Sequence, residues 1–400
     1  MTGKRKRKLA MPDTLIIVAS VVLLVAILSW IIPSGTYDYQ EMNINGRIRN
    51  VAIDGTYHTI DKSEVTTTGF LGFFSVLYRG CVEAADVIFM ILCCCGTFGV
   101  VVKTGAFHAG IGTILKKLKG KEILLVPIIM MIFGLGGSVF GMASEFYGFY
   151  PLIVGLGVAL GYDAMFGFAI IAVGEFVGFM GATLNPYSVG IAQTISGVEL
   201  YSGTGYRAIC FVIFMAISII YVMVYGRKIK KNPGASVVFG EKNIHAFDRD
   251  ELNEYSFTLK DGLVLLDVLV VLVVLMLGLI KWGWDFPQLC GLFLLMSMIA
   301  AAICKWSPNK WCSEFIDSAK TAMWGCILTG IAKAITVVMQ DAQIMDTVIY
   351  GLSNVLKNAP HAVSAQVMLV VQTLINFFIP SATGQASATM PIMAQLADII

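Results

Sequence analysis

Residues 14–32 read TLIIVASVVLLVAILSWII, nineteen positions without a charge. A helix needs roughly 20 such residues to cross a bilayer. Further apolar runs follow at about 86–103, 122–137, 144–160, 164–200, 205–226, 261–280, 287–304, 322–339, 362–380 and 388–400,. The pattern predicts an all-α polytopic membrane protein. Two places break it. The run 122–160 is about 38 residues, nearly twice one span, with the polar string SVFGMAS (138–144) at its middle, so it crosses twice or enters and turns back,. The run 164–200 contains ATLNPYSVG, where Asn185-Pro186 interrupts the helix because proline lacks the amide and clashes with the preceding turn,. A simple proline kink is the competing reading there.

Charge orients the chain. KRKRK (4–8), KKLKGK (116–121) and RKIKK (227–231) are basic clusters that belong in the cytoplasm,. The N-terminus is therefore inside, and the polar loop 34–69, whose VAIDGTYHTI suits short strands, is outside. The first segment reads as a retained helix rather than a signal peptide, since its core is too long and Ile31-Ile32-Pro33 is a poor cleavage site,. Trp282 and Trp284 mark one interface, Trp306 and Trp311 another,.

Composition agrees with this class: 57% hydrophobic and 14% charged residues, with a mean hydropathy of +0.79. The bilayer is the expected partner, and no nucleic acid is implied. Nine cysteines include Cys93-Cys94-Cys95, which on a helix point in three directions and cannot converge on one metal; they read as small packing residues,. His58, His108, His245 and His361 fall in no zinc spacing,. No metal or cofactor is expected beyond Na⁺ or H⁺ as a coupling ion. The chain is not read as an enzyme, for it has no HExxH, G-x-S-x-G or Walker A context,.

The polar string recurs. SATGQAS at 381–387 matches SVFGMAS as S-x-x-G-x-A-S at an offset of 243, and a proline follows each, Pro151 and Pro391. Upstream, Val101-Val102 and Val337-Val338 are offset by 236. Two matches at nearly one offset indicate a duplication. The crossing count places the first copy's short helix end (KKLKGK) inside and the second's (Asn354 to Asn358) outside, so the repeats are inverted, an arrangement associated with transporters whose interrupted helices face the substrate at the midplane. Gly141 and Gly384 let backbone approach a solute, and the hydroxyls of Ser138, Ser144, Ser381, Thr383 and Ser387 can bond it,. Close helix packing by small residues is the bland alternative. The chain divides into a basic start and first helix (1–33), an extracytoplasmic loop (34–69), a first repeat (70–226), a cytoplasmic loop (227–260), connecting helices (261–310) and an incomplete second repeat (311–400).

Ionisable residues inside apolar runs mark ion or substrate pathways. Glu145 abuts the first tip, Glu175 lies mid-segment, and Lys333 lies mid-segment in the second repeat. Glu145, Glu175 and Lys333 are the ion-coupling candidates, with a Glu175–Lys333 pair as the structural reading. Arg207 and Asp267, near segment ends, are expected to reach the interface. Gln372 and Asn376, four apart, share a face and are weaker lining candidates,.

The strings MPDTLIIVASVVLLVAILSWIIPSGTYD, SVFGMASEFYGFYPLIVGLGVALGYDA, GATLNPYSVGIAQ and IPSATGQASATMPIMAQLAD together resemble the YfcC-like branch of the C4-dicarboxylate anaerobic carrier family, from residue 11 to the end. The resemblance implies an elevator-type secondary transporter of the ion transporter superfamily, dimeric, with two re-entrant hairpins and two discontinuous helices. By motif, the tips fall at 138–145 and 381–387 and the first discontinuous helix at Asn185-Pro186. Family members continue through a second discontinuous helix, whereas this sequence stops at Ile400 in the returning arm of the second hairpin, so the expectation is a truncated site.

The expected function is secondary active transport, across the inner (cytoplasmic) membrane, of a small metabolite carrying a carboxylate. The carboxylate suits half-helix amino ends. A substrate also bearing an amino group, such as a basic amino acid moved by antiport, suits Glu145; a C4-dicarboxylate suits a neutral or ion-coupled Glu145. A channel or receptor, or a fragment that does not transport, is the alternative.

Overall fold

In hydrocarbon an unpaired amide has no water to bond, so these apolar segments close their backbone bonds internally as helices. The computed structural model describes residues 13–44, 47–53, 55–118, 122–240, 257–282, 284–357, 363–379 and 381–399. The KRKRK cluster, residues 119–121 of KKLKGK, His245 and His361 lie outside the described residues. Five helices are long and apolar enough to span a membrane among the described residues.

Helix α1 (Thr14–Ile31) starts where the Asp13 carboxylate accepts from the Leu15 amide. Four short strands follow, β1 (Ser34–Thr36), β2 (Tyr39–Ile44), β3 (Arg47–Ala52) and β4 (His58–Ile60). β1 pairs antiparallel with β4, Ser34 opposite Ile60, and β2 pairs with β3. The strand expectation for this loop holds. Next come α2 (Phe70–Glu83), α3 (Ala85–Lys103), α4 (Ala106–Leu118), α5 (Leu125–Leu135), α6 (Tyr150–Ala159), α7 (Ala164–Met180), the five-residue α8 (Ile191–Ile195) and α9 (Thr204–Lys231). Then come α10 (Leu259–Lys281), α11 (Phe286–Ile303), α12 (Pro308–Lys320), α13 (Met323–Asp341), α14 (Met345–Lys357), α15 (Ser364–Phe378) and α16 (Ala382–Ile399).

The duplication is visible in element lengths. Helices α3 and α4 have 19 and 13 residues, and so do α13 and α14. Ala85 recurs as Met323 and Lys103 as Asp341, 238 positions later in both cases. Even the links agree: Gly105 (φ 86°) and Gln343 (φ 49°), again 238 apart, both take the left-handed conformation that turns the long helix into the short one,.

The chain forms two compact units. One gathers residues 1–43, 47–88 and 324–400. Its core joins Val22, Val25 and Ala26 of α1, Val76 of α2 and the Ala334 to Met339 face of α13. A neighbouring cluster places Tyr37 and Ala52 of the loop against Ile349 of α14 and Val371 and Ile375 of α15.

The second unit holds 44–46 and 89–323. At its centre is α7, with Phe166, Ile170 and Ile171 almost fully buried. Helices α5 and α6 pack on it in opposite senses. Met130 and Gly134 of α5 lie against Gly174 and Gly178, in rising order, close enough that a Cβ on Gly174 would stand 2.9 Å from the Met130 carbonyl oxygen and one on Gly178 closer still to that of Gly134. Tyr150 and Val154 of α6 meet Glu175 and Gly167, in falling order. The two arms therefore run antiparallel and meet at a tip. With the π-turn that continues it, α5 runs over Leu125–Phe140, 16 residues or about 24 Å, short of the roughly 30 Å hydrocarbon core,.

Candidate functional site

The tip of this hairpin is built by one glycine. Helix α5 loosens into a π-turn over Gly136–Phe140, and Gly141 ends it with φ 69°. That left-handed backbone suits glycine, and a Cβ there would fall 2.6 Å from the Asn185 Oδ1,. A tight turn over Ser144–Phe149 then feeds α6, with Pro151 in the first turn of that helix,.

Facing the tip, α7 ends at Met180, residues 181–185 are unwound, and Pro186–Gly190 starts a second short helical stretch leading into α8. The Asn185 Oδ1 accepts from the amides of Tyr187 (2.9 Å) and Ser188 (3.2 Å), capping that start, while its Nδ2 donates to the Gly137 carbonyl (3.1 Å). The Ser138 carbonyl accepts from the amides of Thr183 (2.9 Å) and Leu184 (3.2 Å), and its hydroxyl donates to the Gly181 carbonyl (3.0 Å). Proline thus does more than kink the helix: it opens a gap whose freed amides bond the hairpin tip. Ser138 and Asn185 have no exposed surface. Their polar atoms hold tip to gap, which makes them positioning residues, whereas Gly141 at the tip is half-buried.

Two carboxylates stand beside this junction. Glu145, 9% exposed, accepts from the Ala143 amide through Oε2 (2.9 Å). Glu175, 2% exposed, accepts from the Tyr150 hydroxyl (3.0 Å). The two lie within electrostatic reach of each other. Neither has a Lys, Arg or His at ion-pair distance among the described residues of its own unit. Within its own unit the partner of Glu175 is a tyrosine, and Lys333 sits half-buried on α13 in the other unit.

Arg207 also departs from expectation. Instead of reaching the interface it turns inward from α9, where Nε (3.3 Å) and Nη2 (3.1 Å) donate to the Thr183 carbonyl in the gap and Nη1 donates to the Ser202 carbonyl (2.8 Å). Sequence carried one clue, the place of Arg207 in the first turn of a helix that starts opposite a broken one. Asp267 is half-buried within α10, and its Oδ2 is buried without a hydrogen-bond partner.

The second motif behaves differently. SATGQAS does not unwind: Ser381 precedes α16, its Oγ accepts from the Gly384 amide (3.2 Å), and Ala382 onward is helical. Among the described residues Ile379 and Ser381 are the non-helical ones before α16, so the expected tip at 381–387 is corrected: from Ala382 on it is helix. Helices α15 and α16 still form a hairpin, because Asn376 Nδ2 donates to Gln385 Oε1 (2.9 Å) and Gln372 Nε2 to Thr389 Oγ1 (3.2 Å), an antiparallel ladder. Ser381 is exposed and Thr383 and Gly384 are half-buried. The side chains of Ser144 and Ser387 lie outside the described residues.

Paired helical arms that stop short of spanning, set against a helix broken midway, define a class: polytopic membrane transporters built on interrupted helices. The chain belongs to the C4-dicarboxylate anaerobic carrier family, which it matches over residues 11–400. It is 31% identical to a protein of Escherichia coli (strain K12) described as a putative basic amino acid antiporter, YfcC, across 100% of this chain and 85% of that protein. It is 28% identical to an uncharacterized protein of Haemophilus influenzae, covering 100% and 86%. Among solved structures it is similar to the Alcanivorax borkumensis YdaH transporter (12% identity, TM-score 0.44, 97% of this chain and 84% of that one). It is also similar to MtrF of Neisseria gonorrhoeae (16% identity, TM-score 0.46, 97% and 81%).

Proposed function

We propose that this protein is a secondary active transporter of the cytoplasmic membrane, N-terminus inside, that exchanges an amino acid with a cationic side chain, with Na⁺ or H⁺ as the alternative counter-ion. One observation carries the reading. Glu145 and Glu175 are buried beside the tip and the helix gap with no basic residue at ion-pair distance among the described residues of their own unit. Carboxylates held in an apolar segment are costly without compensation, and a cationic substrate supplies it. The substrate's own carboxylate would take the amide-rich tip, with Gly141 allowing close approach. Ser381, Thr383 and Gly384 on the second hairpin are proposed as further substrate-binding residues.

The test is counterflow in proteoliposomes with labelled arginine and labelled succinate side by side. Arginine exchange that Glu145→Gln abolishes supports the reading. Succinate exchange with arginine inert would replace it by the dicarboxylate carriage that the family's description names, Glu145 then serving the coupling ion. A leak without saturation would place the protein among channels.

A further inference from the structure

Of the three consecutive cysteines, the transport reading uses none. Cys94 is fully buried. Cys93, one position earlier, faces another way, and there the fold supplies what the sequence run could not. The Cys93 thiol hydrogen-bonds the Cys290 thiol of α11. Cys290 in turn directs its Sγ at the Met90 Sδ, 3.7 Å away. Met90 and Cys93, three apart on α3, share one helix face. Three sulfurs from two helices thus converge at one place, all within the second unit.

We propose that Met90, Cys93 and Cys290 form a binding site for a soft monovalent metal ion, Cu(I) or Ag(I). The ligand types decide the metal: thiolate and thioether together favour Cu(I), and three donors fall short of the four a structural zinc ion takes. The spacing agrees. Metal–sulfur bonds of about 2.3 Å in a trigonal plane put sulfurs about 4 Å apart, close to the observed pair. Binding one monovalent ion to two thiolates and a thioether releases both thiol protons and leaves one net negative charge, less than the two an empty dithiolate would carry, and no electron is transferred. Cys93 and Cys290 are half-buried, whereas Met90 is fully buried. Packing of small polarizable residues accounts for Cys94, but it gives no reason for two thiols and a thioether to meet.

The experiment titrates the purified full-length protein anaerobically with Cu(I) buffered by a chromophoric chelator, and with Ag(I) as a probe that does not cycle. The wild type should withdraw one ion per chain more tightly than Cys93→Ala or Cys290→Ala, each of which should lose that equivalent. Met90→Leu should weaken it about tenfold or more, the order of a single lost ligand contact. Cys312→Ala, at an exposed cysteine of α12, should retain it. Binding to the native state should also raise the melting temperature with ion concentration in the wild type and in Cys312→Ala, and not in Cys93→Ala or Cys290→Ala. Equal uptake by wild type and both cysteine variants overturns the proposal, as does a Cys93–Cys290 disulfide in the isolated protein that takes up no metal. If a variant fails to fold, X-ray absorption on the loaded wild type decides: three sulfur neighbours support the site, and oxygen or nitrogen neighbours refute it.

Discussion

Arg79 and Asp341 are joined in a fork: Nη1 and Nη2 of the guanidinium each take one carboxylate oxygen, at 2.5 and 2.9 Å. Asp341 is the last residue of α13, and its counterpart 238 positions earlier, Lys103, is the last residue of α3. Lys103 makes the matching contact with the sign reversed, to Glu314 of α12. So in one unit α2 of the first repeat lies on α13 of the second, and in the other α12 of the second lies on α3 of the first. The duplication is used twice, each copy lending its lead-in helix to its sibling.

Close packing rather than charge should hold these contacts. Arg79 is 44% exposed at the side chain, so its pair is worth about 1 kcal/mol or less,. A Cβ on Gly80, by contrast, would stand 2.7 Å from the Ala334 amide nitrogen. Asp341→Asn is expected to leave the melting temperature in detergent nearly unchanged. Gly80→Leu is expected to cost at least about 1–3 kcal/mol and to lower the monodisperse yield on size exclusion.

The stranded loop 34–69 should come loose with Asp346. This buried carboxylate accepts from the Tyr37 amide (3.1 Å), the Thr36 hydroxyl (3.2 Å) and the Tyr39 hydroxyl (2.8 Å). Asp346→Ala leaves those donors unpaired at a cost of about 1–3 kcal/mol. Burial first, and the Asp346 charge second, push the Tyr39 hydroxyl well above the usual tyrosine range. A raised folded-state value stabilises the protein below the unfolded tyrosine value of about 10 and is lost as pH climbs beyond it. Melting temperature should fall from about pH 10 upward, and Tyr39→Phe should flatten the part of that fall owed to this group.

Asn185 should be irreplaceable. Alanine removes a cap and a donor to a buried carbonyl together, about 2 kcal/mol or more. Aspartate keeps the cap but sets a negative charge against the Gly137 carbonyl. Counterflow is expected to drop at least tenfold in both, and a variant with native exchange would separate the junction from transport.

Arg207→Lys tests the gap itself. Lysine cannot reproduce the planar fork that holds both Thr183 and Ser202 carbonyls,. Exchange should slow with little change in expression, read by counterflow beside a fluorescent yield assay.

Orientation is open to labelling. Single cysteines at Lys117 and Asn354, in equivalent short helices, should react with an impermeant maleimide from opposite sides of the membrane. Labelling from one side only would remove the inversion.

Sequence alone determined what depends on local chemistry. Run length set the spans, and polar or proline-bearing interruptions at 138–144 and 185–186 set the breaks, because a bilayer tests each segment against the same thickness and the same lack of hydrogen-bond partners. Tertiary structure decided the pairings. Tyr150 answers Glu175, Arg207 turns to Thr183, Cys290 joins Cys93, and identical S-x-x-G-x-A-S strings end as an unwound tip in one hairpin and as the first turns of a helix in the other. These join side chains brought together only by packing, and the two copies of a motif meet different neighbours. No local pattern carries that information.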